Sequence, residues 1–87
     1  MRKKYESSLR LFFRDKLVCR RNELGITQEE MAYRLAMANR SYIELDHGKS
    51  CCSGLTLARF LIYICEDPIV FLKDLRRVFE KVEIDAA

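Results

Sequence analysis

Asn39, Arg40, Ser41 and Glu44 fall within six residues and carry side chains that match the edges of nucleic-acid bases. An asparagine amide pairs with adenine and a guanidinium with guanine; a hydroxyl reaches a base edge or a phosphate, and a carboxylate accepts from cytosine N4. Each has a plainer reading too. Asn39 can cap the start of a helix, and Glu44 can act only by repelling a wrong register.

The sulfur chemistry is thinner. Of four cysteines, Cys51 and Cys52 are adjacent, with His47 just before them. A metal or redox site on these three residues predicts loss of response when both cysteines become serine. No Cys-x-x-Cys spacing is present, so the zinc-ribbon and thioredoxin-like patterns are missing. Cys19 and Cys65 read as small hydrophobes on helices. The chain has no Gly-rich phosphate loop, nucleophile elbow or paired-carboxylate pattern. No enzyme and no cofactor are expected.

The base-edge residues need elements that hold them. Thr27 is a good N-cap, and Glu30 stands three residues later, the spacing of a capping box. Met31, Ala32 and Leu35 follow at helical spacing. Ala36-Met37-Ala38 breaks that phase. A second short helix has Tyr42 and Leu45 inward and Asn39, Arg40, Ser41 and Glu44 outward, with Ile43 half exposed. Gly48 closes it as a C′ glycine. Two short helices joined by a tight turn form a helix-turn-helix, whose second helix lies in the major groove of DNA.

The stretch resembles the phage-repressor/Cro (XRE) type of helix-turn-helix domain. The likeness runs through Arg21, Leu24-Gly25-Ile26-Thr27-Gln28-Glu29-Glu30-Met31-Ala32, Leu35, Tyr42, Leu45-Asp46 and Gly48-Lys49, with no gap between Ala32 and Gly48. It covers roughly residues 9 to 65. It implies an all-α bundle of five helices, with Gln28 and Lys49 touching the DNA backbone. It also implies an ion pair between Arg21 and Asp46, where the family more often has glutamate. Two positions depart from the family: Ala36 stands where glycine is frequent, and Ala38 where serine caps. Alanine is tolerated at the first if the backbone stays right-handed. At the second it forfeits a cap worth about 0.5–2 kcal/mol, unless Asn39 substitutes.

At 87 residues the chain is one domain, 1–87. The net charge of +3 is uneven: residues 1–21 carry +6, 22–49 carry −2, and the remainder −1. The basic first segment suits a polyanion, and the acidic motif does not. Arg10, Arg14 and Arg20 divide between a solvated surface and phosphate contact. No apolar run is long enough to cross a membrane, and no signal-peptide pattern follows the basic start. A cytoplasmic location and no membrane partner are expected.

Helices are expected at about 5–24, 28–35, 39–46, 54–65 and 68–80. In the first, Leu9, Phe13, Leu17 and Leu24 share a face. In the last, Ile69, Leu72, Leu75 and Phe79 form the inward stripe, and Phe71 and Val78 widen the apolar surface to a second face. Glu83 to Ala87 are expected to fray. A helix apolar on two sides needs two partners, so Phe71, Leu75 and Val78 are dimerisation candidates. The expectation is a homodimeric regulator binding double-stranded DNA. The alternative is a protein-interaction module whose partner is a toxin or another regulator.

Overall fold

A computed structural model describes residues 2–86. Five helices follow one another, and the described residues contain no strand: α1 (Arg2–Leu24), α2 (Gln28–Arg34), α3 (Asn39–Asp46), α4 (Gly54–Arg59) and α5 (Pro68–Ala86). A π-helical turn, Phe60–Ile64, continues α4 and closes with Cys65 N–H donating to the Phe60 carbonyl at 2.8 Å.

Local chemistry fixes where these helices start. Thr27 Oγ1 accepts from Glu30 N–H at 3.1 Å, and Ser53 Oγ from Thr56 N–H at 3.2 Å. Asp67 Oδ1 takes the N–H groups of Ile69 and Val70, and Pro68 sits at the first helical position, where no N–H is needed. The capping box stays half made, because the Glu30 carboxylate turns to Arg34 at 3.2 Å. Ala38 caps α3 with no side-chain hydrogen bond, and Asn39 does not replace it.

Three helices end in the same way. The residue after the cap is left-handed at Gly25 (φ +66°), Ala36 (φ +56°) and Gly48 (φ +73°). In each case its N–H and the next one reach back to carbonyls near the helix end, as in a Schellman motif. For α2 these bonds are Ala36 N–H to Tyr33 and Met37 N–H to Ala32, both 3.0 Å. The condition set for alanine at this position, a right-handed backbone, is therefore not met. Closing the motif outweighs the cost of a left-handed alanine.

Phe13 and Leu17 of α1, Met31, Ala32 and Leu35 from the α2 region, Tyr42 and Leu45 of α3, Phe60, Ile64 and Phe71 make one core. Rings run through it edge to tilted: Phe12 to Phe71 at 5.1 Å, Phe71 to Phe60 at 5.6 Å and Phe60 to Phe13 at 5.2 Å.

Helix α5 keeps Leu75 and Phe79 of the expected inward stripe half-buried but is turned so that Ile69 and Leu72 leave the core. Phe71 and Val82 are buried, whereas Ile69 and Leu72 are exposed. Phe71 thus fills the core and is removed as a dimerisation candidate. The reason is contact: α1 meets α5 through Phe12 to Phe71 and Tyr5 to Phe79, and Lys16 Nζ reaches Asp74 Oδ2 at 2.7 Å. The same packing extends both helices beyond their expected ends, α1 back to Arg2 and α5 on to Ala86.

Candidate nucleic-acid interface

Helix α3 has a clean division of faces. Tyr42, Leu45 and Asp46 are buried; Asn39, Arg40, Ser41, Ile43 and Glu44 are exposed. The buried side is held by one carboxylate. Asp46 Oδ1 accepts from Tyr42 Oη at 2.8 Å and from Arg21 Nε at 3.3 Å, and Oδ2 accepts from Gln28 Nε2 at 2.8 Å. Asp46 is 8% exposed. Three donors from three helices satisfy an anion that would otherwise be costly to bury. Burial, and then the Asp46 carboxylate, push the Tyr42 hydroxyl well above its ordinary range.

The shorter aspartate therefore does meet Arg21, and in addition holds Gln28. The sequence reading turned Gln28 outward to a phosphate, but its amide is committed inward, with one N–H spent on Asp46. Spacing along the chain carried no sign of this bond, which spans 18 residues.

On the outer side the side chains of Asn39, Arg40, Ser41 and Lys49 make no hydrogen bond or ion pair among those found for the described residues. Glu44 is less free, since its carboxylate accepts from Ser50 Oγ at 2.8 Å. That bond folds the loop back on α3 and leaves Lys49 exposed at its corner.

The structure adds two cations to this edge. Arg10 Nη1 donates to the Gly48 carbonyl. Arg14 crosses directly over Gly48: a Cβ there would stand 3.0 Å from Arg14 Cδ and 3.1 Å from its Nη1. Arg10, Arg14 and Lys49 thus gather at the C-terminal end of α3, where the helix dipole favours cations. The sequence showed both arginines as members of a basic helix but could not place them. Their signal was the stripe Arg10, Arg14, Arg21 at i, i+4 and i+11, which is one helix face.

The remaining candidates are dispersed. Leu75 and Val78 are half-buried on α5. Cys51 is exposed and Cys52 half-buried; burial first, then the neighbouring Cys51, push the Cys52 thiol up to about 12. His47 is exposed at the end of α3. The described residues contain no cluster of three or more His, Cys, Asp or Glu suited to a metal. No helix among them is long and apolar enough to cross a membrane.

A scan of protein-family models finds no match to this chain, and comparisons with curated proteins and with solved structures find none either.

Proposed function

We propose that α2, the turn and α3 form a helix-turn-helix of the phage-repressor/Cro type, and that the chain is a sequence-specific DNA-binding regulator. Helix α3 enters the major groove. Arg40 reads a guanine and Asn39 an adenine, with Ser41 and Glu44 at neighbouring base edges or phosphates. Lys49, Arg10 and Arg14 face the phosphate backbone. The observation that carries this reading is the split of α3: its buried side is fully engaged by the core and Asp46, while Asn39, Arg40 and Ser41 stand exposed with no internal partner. Arg10 beside Gly48 supports it further, because it brings a cation of the basic first helix to the edge of the acidic motif, while Arg14 shares its charge with Asp15 at 2.8 Å. Gln28 joins the phosphate contacts only through its second N–H.

The test is selection of bound sequences from a randomised duplex library at two salt concentrations. An enriched motif with two-fold-related halves about 34 Å apart is expected. Absence of enrichment by a folded protein overturns the reading.

A second reading is a protein-interaction module, with a toxin or another regulator as partner. It is favoured by Leu55, Ile62 and Tyr63, each about two-thirds exposed on α4 and its π turn. Binding through such a surface changes little with salt, whereas phosphate contacts weaken steeply.

A further inference from the structure

A half-open depression of about 190 Å³ lies where α1 passes the π-helical turn and the start of α5. It is larger than the ~150 Å³ apolar cavity that takes up benzene. Phe60, Val70 and Phe71 supply its apolar wall, and the thiols of Cys19 and Cys65 border it. The π turn shapes this wall. It closes with Cys65 N–H on the Phe60 carbonyl, and Cys65 then leaves in an extended conformation (ψ 131°) that carries the chain across to α5. Single π turns of this kind recur at functional sites.

The charges at the mouth are not equivalent. Lys16 Nζ is committed to Asp74 Oδ2 at 2.7 Å, and Arg20 Nε to the Ile64 carbonyl at 2.8 Å. Asp67 Oδ1 caps α5. Two carboxylates keep free capacity. Glu23 on α1 accepts from the weak Cys19 thiol donor at 3.9 Å, and Glu66, 75% exposed, stands 3.9 Å from Arg20 Nη1. The mouth therefore offers unsatisfied negative charge over an apolar wall, while its cations are already paired.

We propose that this depression binds a small protonated amine with a one-ring apolar body. The ring lies against Phe60, Val70 and Phe71, and the ammonium group sits between Glu23 and Glu66. A carboxylate of the same size meets two like charges and finds no free cation. None of the residues assigned to DNA lines the depression, so the amine and a duplex occupy separate surfaces. The inference is independent of the regulator reading, because binding is measured without DNA.

Alkylation by iodoacetamide near neutral pH, read at each cysteine by mass spectrometry, tests it with phenethylamine as the probe. Cys65 borders the depression, and exposed Cys51 lies outside it as an internal control. At ten times its dissociation constant the amine is expected to slow labelling of Cys65 about tenfold and to leave Cys51 unchanged. Phenylacetate, with a similar ring and the opposite charge, is expected to protect neither. The double variant Glu23→Gln/Glu66→Gln is expected to weaken the amine about tenfold, as two rim ion pairs would. Val70→Phe fills the depression and is expected to abolish protection while the helical circular dichroism is unchanged. Cys65 labelled as fast with the amine as without it overturns the proposal. Equal slowing at Cys51, equal protection by phenylacetate, or protection that survives Val70→Phe overturns it as well.

Discussion

The amide of Gln28 donates to Asp46 Oδ2 at 2.8 Å, joining the first residue of α2 to the last residue of α3. Contact between these helices otherwise rests on apolar packing, which does not fix an angle sharply. A directional bond to a buried anion does. Gln28→Ala is expected to cost about 1–3 kcal/mol, since it leaves one carboxylate oxygen unsatisfied. Urea unfolding measures this. If DNA affinity falls by no more than the lost stability explains, Gln28 acts only as a tie. A further loss of affinity, equal for all sequences and with the salt slope unchanged, shows that its second N–H meets a phosphate.

Tyr42 gives the same carboxylate a signature in pH. Its hydroxyl is raised above 10.0 in the folded state, so the folded chain keeps a proton that the unfolded chain releases. The stability this contributes is fully present below pH 10 and is lost as pH rises toward the folded value. The loss approaches about 1.4 kcal/mol per pH unit for this one residue. Tyr42→Phe is expected to be less stable at neutral pH and to lose less on alkalinisation. Parallel slopes for the two proteins above pH 10 contradict this.

The turn between α2 and α3 is not optimised for stability. Ala36 is left-handed at φ +56°, and Ala38 leaves the first turn of α3 without a side-chain cap. Ala36→Gly relieves backbone strain but adds freedom to the unfolded chain, for a net gain of about 0.5–1 kcal/mol. Ala38→Ser adds the missing acceptor and about 1 kcal/mol. The sites are close, so the double variant need not be additive. Thermal unfolding of the three variants decides; a destabilised Ala36→Gly contradicts the strain account.

Gly48 is held by two demands. Its φ of +73° strains any other residue, and a Cβ collides with Arg14. Gly48→Ala is expected to cost about 1–2 kcal/mol from the backbone alone and to displace Arg14. In the proposed complex that displacement lowers affinity for all DNA sequences alike. Arg14→Gln isolates the charge, with a flatter salt dependence by about 0.9 in slope. An unchanged slope removes Arg14 from the phosphate contacts.

In the proposed complex, Arg40 and Lys49 separate base reading from backbone binding. Arg40→Ala is expected to cost about 1–3 kcal/mol on the preferred sequence and to relax preference at one position. Lys49→Ala weakens all sequences equally. Binding measured on a preferred and a scrambled duplex distinguishes the two outcomes.

What the sequence determined by itself was local. Thr27, Ser53 and Asp67-Pro68 mark helix starts because a cap acts within three residues of itself. Gly25 and Gly48 mark ends because a left-handed residue is a property of one position. The division of α3 into Tyr42 and Leu45 inside and Asn39, Arg40, Ser41 and Glu44 outside followed from helical period alone. Tertiary structure decided whatever depended on residues far apart in the chain. Helix α5 is apolar on two sides, and period alone put Leu72 inward; the aromatic contacts with Phe12 and Phe60 turned Phe71 in instead. Ala36 became left-handed because Met37 N–H closes on Ala32. Gln28 turned inward, and Arg10 and Arg14 reached Gly48, because packing brought charge to places that no spacing along the chain records. Burial makes a lone carboxylate such as Asp46 costly, and only the folded chain gathers the donors that satisfy it.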